Sequence, residues 1–467
     1  MTISVLETDK ELKQIICDLE RTIFARVVEW AREEYSKLLE CIDDLIERYR
    51  PGSLQVVHKR SVWYRTLLGN VRVTRRQYRD KDGKYRYLLD ELLGMGKYEH
   101  ISLEVKEMAL GMSENTTFRQ AADILRKVSP VDLSHQTVHR MLQRAAKGHQ
   151  AGADNALAWF QQTGELPQSE GKKIGRLIME ADEVVLALQR EKSRKAEVKL
   201  GIAYEGWKKV GKDRYSTANK TFHADIADTD TFWAGMTLKL HRKYDLSNCG
   251  QIVIGGDGAS WIKEGVDQFK GDFQLCRYHL NRELCLALGH NRQKLGEVQG
   301  CCQRGDFDAA FNVLAEAAAK AGPKKGNQIS KAIKYMASNI DGLADYRNHE
   351  EQLSGELRRT GAIEGNVDKL IVRRMKNKGM SWTYEGIRSM LWLRIKIREG
   401  TLPKCLQSAH KETTTKAVTV KRINRIINRD LKRDYLAYFT AGLPALYGPH
   451  GSRPWVEMLK SLSGLAL

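Results

Sequence analysis

A multi-domain chain of mixed α+β and α/β class is predicted by three observations. The length of 467 residues exceeds one ordinary domain and predicts about three. The apolar spacing switches from helical to strand-like and back, and from residue 177 three strand-like runs are followed by alternating helices and strands. Charge narrows the partner: 77 Lys and Arg against 58 Asp and Glu leave +19 and a pI near 9.4, so an acidic polymer, nucleic acid before membrane, is expected. No apolar run approaches the ~18 residues a spanning helix needs. Met1-Thr2-Ile3-Ser4 offers neither a basic n-region nor an apolar h-region, so a cytoplasmic location is expected. Eight cysteines, scattered without a framework, read as reduced thiols.

Residues 1–50 come first. Leu12, Ile16, Leu19, Ile23, Val27, Trp30, Leu38, Ile42 and Leu45 recur mostly three or four apart until Pro51-Gly52, predicting a long amphipathic helix or helical pair that packs on its own protein or forms a dimer seam. Residues 51–98 change texture: Val71-Arg72-Val73 and Tyr85-Arg86-Tyr87 flank Asp80-Lys81-Asp82-Gly83, a hairpin signal. From Gln55 to Leu93 this β module carries Arg72, Arg75 and Arg76 among ten cations, with Trp63, Tyr64 and Tyr78 interleaved, which suits phosphate contact as well as a solvated face. Residues 99–150 end in a predicted helix-turn-helix, Phe118–Leu125 followed by Ser134–Leu142. Ser134 as N-cap leaves His135, Gln136, His139 and Arg140 on the N-terminal turns that enter a major groove.

After a polar joint from Thr163 to Gly171, the central domain is assigned to 171–280 plus 353–400. It reads as strand 177–186, strand 198–205, strand 220–226, helix 229–243, strand 251–256, helix 261–268 and strand 273–276, the order of a ribonuclease-H-like core. A helical insertion, 281–352, interrupts it, with Ala309, Ala310, Leu314, Ala315 and Ala318 on one face. The tail, 401–467, alternates Lys421, Arg422, Arg425 and Arg429 with Val420, Ile423 and Ile427, giving a basic helical face.

Three acids carry the candidate chemistry. Asp182 follows Leu177-Ile178-Met179-Glu180-Ala181, Asp257 follows Gln251–Gly256, and Glu364 begins a helix continuing into Arg373, Arg374 and Lys376, which would lie along a phosphate backbone. Two acids at strand ends and one on a later helix can share two divalent ions, as phosphodiester cleavage requires. Strand alternation puts Glu180 on the face of Asp182 and Glu183 opposite, and Glu356 and Glu385 compete with Glu364. Cys276-x-x-His279 supplies two ligands where a structural zinc needs about four, so packing or hydrogen bonding near the acids is the plainer role. Trp261 reads as core, or as a stacking partner for an unpaired base.

These pieces, in this order, resemble bacterial insertion-sequence transposases of the ISLre type, relatives of the mutator-like transposases with a ribonuclease-H-like DDE domain. The resemblance runs from Tyr87–Gly94 through Ser134–Val138, Met179–Asp182, Ala203–Trp207, Gly256–Ala259 and the C-x-x-H element to Ile363–Asn366. It implies DNA transposition, with Asp182, Asp257 and Glu364 binding two Mg2+ ions, Mn2+ as substitute. It also implies double-stranded DNA as partner, both element ends and target, bound by a homodimer or higher oligomer near the nucleoid. A transposase-derived regulator without catalysis and a nuclease that cuts without joining are the alternatives.

Overall fold

The three-and-four apolar spacing of the N-terminal segment becomes one continuous helix, α1 (Val5–Tyr49), ended by Pro51. The computed structural model describes residues 5–95, 99–169, 171–349, 357–377 and 379–408. The basic tail expected beyond Ser408 lies outside the described residues. The chain divides into two compact units, one built from residues up to 105 with 126–132, the other from 106–125 and 133–409.

In the first unit β1 (Gln55–Thr66) and β2 (Gly69–Arg79) form an antiparallel hairpin. Its tight turn places Gly69 at φ +94°, a left-handed value that favours glycine. The Asp-Gly turn joins β2 to β3 (Tyr85–Arg86) in a second antiparallel hairpin, as expected, before α2 (Leu88–Leu92). The C-terminal half of α1 contributes Leu39 and Ile46 to a core with Tyr64, Val71, Val73, Tyr78 and Leu89. On its N-terminal half Leu19, Ile23, Phe24, Val27 and Trp30 remain exposed.

Helices α3 (Leu103–Ser113), α4 (Phe118–Val128) and α5 (His135–Thr163) follow. Ser134 caps α5 as expected, accepting from the Thr137 N–H at 3.2 Å. The helix runs far past the expected Leu142, to a left-handed Gly164 cap.

The second unit is mixed α/β. Its strands are β4 (Arg176–Leu188), β5 (Lys195–Tyr204), a separate hairpin of β6 (Trp207–Gly211) and β7 (Arg214–Thr217), β8 (Thr221–Asp225), then after α6 (Thr229–His241) β9 (Gln251–Gly256) and, after α7 (Ser260–Phe269), β10 (Asp272–Leu275). The main sheet has the order β10-β9-β4-β5-β8. β4, β5 and β8 pair antiparallel, while β9 and β10 run parallel with β4. Leu177, Met179 and Ala181 alternate inward on β4 and meet Phe232, Trp233 and Met236 of α6 and Ile262 of α7.

The segment expected as a helical insertion is a bundle of α8 (Arg277–Leu288), α9 (Arg292–Arg304), α10 (Phe307–Ala319) and α11 (Pro323–Ala337). Its core joins Leu284, Val298, Ala310, Leu314, Ile329 and Met336, and Ala315, expected on that face, is exposed instead. Helix α12 (Ala362–Val367) then passes into a π-helical stretch, Asp368–Lys376. Strand β11 (Ser381–Trp382) pairs with the far end of β4, and α13 (Tyr384–Arg398) and α14 (Leu402–Ser408) complete the described chain.

Candidate active site

Asp182 does not end its strand as expected; it lies at the middle of β4. Its neighbour stops short: β9 pairs with β4 only as far as Glu180 opposite Gly255, so Asp182 lies two residues past the last pair, near enough to Asp257 to interact with it electrostatically. There Gly258 sits at φ +92°, and a Cβ would lie 2.2 Å from the Asn339 side-chain oxygen, so turn and neighbour both require glycine. Asp257 Oδ1 accepts from the Ala259 N–H at 3.0 Å, and its carbonyl accepts from the Tyr335 hydroxyl of α11 at 2.7 Å. The insertion therefore supports the turn that carries the second acid.

The third acid arrives from α12. Cys276 Sγ, preceding α8, donates to Glu364 Oε1 at 2.6 Å. Ligand atoms of Cys276, His279 and Glu364 all lie within 4.8 Å of one another, and His279 Nδ1 is buried without a hydrogen-bond partner among the described residues. Burial, with the charges of Asp257 and Glu364, pushes the Asp182 carboxyl up to about 6, against the Glu183 N–H and His279, which pull it down. Burial and Glu364 push the Cys276 thiol up to about 12, so it keeps the proton it donates.

Mutually repelling carboxylates of this kind fit a hard divalent cation such as Mg2+ or Mn2+, which would relieve the strain on Asp182. Zinc fits less well: sulfur, imidazole and one carboxylate are one ligand short of a closed site.

Glu180, the face-mate of Asp182 that spacing alone could not distinguish from it, is buried beside Glu364 with its carboxylate already occupied. It is 2% exposed and accepts from the Tyr204 hydroxyl and from backbone N–H groups at the start of α12. Glu385 is exposed on the first turn of α13, and Glu356 lies outside the described residues. Trp261 is core, packed edge-on against Phe232 at 5.4 Å.

The cations expected on DNA divide. Arg72 is exposed. Arg75 is not: it is 4% exposed and holds Asp90 bidentately, Nε to Oδ1 at 2.6 Å and Nη2 to Oδ2 at 2.8 Å. Arg76 is taken up by Asp43 and Asp44, each 2.7 Å away. His135, Gln136 and Arg140 are exposed on the first turns of α5, but His139 is half-buried with its ring against Phe118 at 5.1 Å. Arg373 is exposed and paired with Asp368 at 2.7 Å, and Lys376 is exposed. Arg374 is buried, donating to the Ser113 carbonyl at 3.2 Å beside the Trp382 ring, where burial lowers it to about 10. A missed candidate is the β6–β7 hairpin, with Lys208, Lys209, Lys212 and Arg214 exposed. The turn Gly211-Lys212-Asp213 between Val210 and Tyr215 was its only sequence signal.

Fold and site thus define a mixed α/β protein in which Asp182 on the central strand interacts electrostatically with Asp257 and Glu364, while the one close group of potential ligands among the described residues is Cys276, His279 and Glu364. The chain belongs to the uncharacterised protein family UPF0236, whose family model matches residues 10–412. It is 26% identical over 381 residues to UPF0236 protein TTE2489 of Caldanaerobacter subterraneus subsp. tengcongensis, covering 79% of this chain and 76% of that one. A second protein of that organism, whose name joins eleven designations from TTE0033 to TTE2212, is 25% identical over 379 residues, 79% and 75% of the two chains. The UPF0236 protein in vanSb 3′region of Streptococcus gallolyticus is 26% identical over 415 residues, 85% of each chain. Among the described residues no helix is long and apolar enough to cross a membrane.

Proposed function

We propose that this protein is a DDE-type DNA transposase: a ribonuclease-H-like core that cleaves the ends of its own mobile element and joins them to target DNA. The observation that carries this reading is the sheet, β8-β5-β4-β9-β10, three antiparallel strands followed by two parallel ones, with Asp182 on the central strand, Asp257 just past the adjacent parallel strand and Glu364 on a later helix. That is the order and placement of acids a ribonuclease-H-like polynucleotidyl transferase uses. Support also comes from the family: one relative's name joins eleven designations in one organism, as copying of a mobile gene would leave.

Asp182, Asp257 and Glu364 would hold two Mg2+ ions, which would supply activation of the attacking oxygen and stabilisation of the leaving 3′ oxygen. The protein's own part is positioning. Tyr335 fixes the backbone of Asp257, Cys276 orients Glu364 by its thiol proton, and the turn at Gly258 keeps the approach to the acids low. Exposed cations at Arg72, Arg140, Lys376 and the β6–β7 hairpin offer phosphate contacts, and Gln136 a base contact from α5.

The test incubates the full-length chain and Mg2+ with labelled duplex carrying the DNA that borders its gene, and maps nicks and joined products. Wild type is expected to nick at the element ends and yield target-joined strands. Asp257→Asn should abolish cleavage and leave DNA binding intact. Cleavage by that variant at near wild-type rate overturns the assignment, and nicks without joined ends reduce the protein to a nuclease.

A further inference from the structure

Glu180 carries an ionisable group into the interior and spends three of its four hydrogen bonds on one helix start. Its Oε2 accepts from the N–H of Gly361 at 2.9 Å and of Ile363 at 3.1 Å, and its Oε1 from the N–H of Ala362 at 3.1 Å and the Tyr204 hydroxyl at 2.5 Å. Those amides open α12, and a helix start leaves such groups without partners inside the helix. The positive end of the helix dipole also favours a carboxylate there. Capping groups ordinarily come from the residue just before the helix. Here the cap comes from the strand that carries Asp182, and Gly361 in the ordinary capping position supplies no side chain at all.

The residue after the three clamped amides is Glu364. Its carboxylate is held in turn by Cys276, so the acid is fixed both at its backbone and at its tip. Tyr204 lies on β5, opposite Ile178 of β4, and steadies Glu180 from the side.

We infer that Glu180 is a positioning residue: it locks the start of α12 to β4, two residues from Asp182, so that Glu364 reaches the same divalent cation as Asp182 and Asp257. The inference rests on the reading of those three acids as a cation site. A role in packing alone would be better filled by an apolar side chain, because a buried carboxylate is disfavoured unless its bonds do something specific. What these bonds do is fix three consecutive amides. Glutamine is nearly the same shape but has one acceptor oxygen, and its NH2 group would face N–H donors.

The test uses the full-length chain with Mn2+ alone as probe. Free Mn2+ is followed by electron paramagnetic resonance, and amide hydrogen exchange is read on peptides spanning 361–364. Wild type should bind Mn2+ and Asp257→Asn should lose it. Glu180→Gln should bind the same number of ions with Kd raised about tenfold or more, with faster exchange at residues 361–363 and an unchanged circular dichroism spectrum. Tyr204→Phe should move Kd and exchange the same way by less. A packing defect would instead lower the number of sites at constant Kd. Faster exchange in Glu180→Gln with wild-type Kd overturns the inference while leaving the cation site standing. Should Glu180→Gln fail to fold, Tyr204→Phe decides: an unshifted Kd there overturns the inference. A wild type that binds no Mn2+, or Asp257→Asn that binds it normally, overturns the cation-site reading itself.

Discussion

Asp182 is placed where ionisation is disfavoured. Burial and two neighbouring acids hold its carboxyl at about 6, above the ordinary range near 4. The folded, cation-free chain therefore binds that proton more tightly than the unfolded chain does. The resulting stability is complete below about pH 4 and is lost as pH rises through about 6. Asp182→Asn removes the charge but keeps the shape. In EDTA at pH 7.5 the variant is expected to melt roughly 1–3 °C above wild type, and the two curves should converge at pH 4. Differential scanning fluorimetry across that range checks it, and a lower melting temperature for the variant at pH 7.5 would contradict the account. Saturating Mg2+ should raise the wild-type melting temperature and leave the variant's nearly unmoved, since only the wild type gains a bound ion.

At the scale of elements, the β1–β2 hairpin separates cations by face. Arg75 and Arg72 stand three residues apart on β2, one tied to Asp90 in the core and one in solvent. Arg75→Ala leaves Asp90 buried without its partner and should cost about 3 kcal/mol or more of stability, read by denaturant unfolding. Arg72→Ala should leave stability unchanged, weaken binding to every duplex alike, and flatten the plot of log K against log salt by about one unit. Equal effects of the two variants on DNA at matched folded fraction would contradict this division. The sequence could not make the distinction, because it shows ten cations and not which of them meets a buried acid. Arg374 is hidden in the sequence for the same reason: its partner, the Ser113 carbonyl, is far away in the chain. The β6–β7 hairpin was overlooked because its exposed Lys208, Lys209 and Val210 carry no apolar alternation. The main strands were legible since β4 and β9 are buried on both faces over much of their length and read as apolar runs. Asp257 was legible as well, being the acid that follows such a run directly. The role of Glu180 was not, since spacing gives its face and says nothing of α12 arriving from residue 361.

Across the whole second unit, the helical insertion is joined to the acids and not merely threaded between them. Tyr335 donates to Asp257, Lys263 reaches the Ser338 carbonyl at 2.6 Å, and Gln274 bonds the Gly342 carbonyl at 3.0 Å. Tyr335→Phe removes one hydroxyl from the turn that carries the second acid. Cleavage of element-end DNA should fall about fivefold, the worth of one such bond, while the global melting temperature moves little. A rate equal to wild type would make the insertion a bystander. The position of β4 has one more consequence, for the order in which the protein is made. Its first partner, β5, is synthesised directly after it, but β9 comes later and β11, which closes its far end, later still. Pairings so distant in sequence form slowly, and a nascent chain emerges from the ribosome N-terminus first. The strand bearing Asp182 therefore waits with an unpaired flank until β9 (Gln251–Gly256) has been made, and the three acids can meet only once the chain has been made past Glu364.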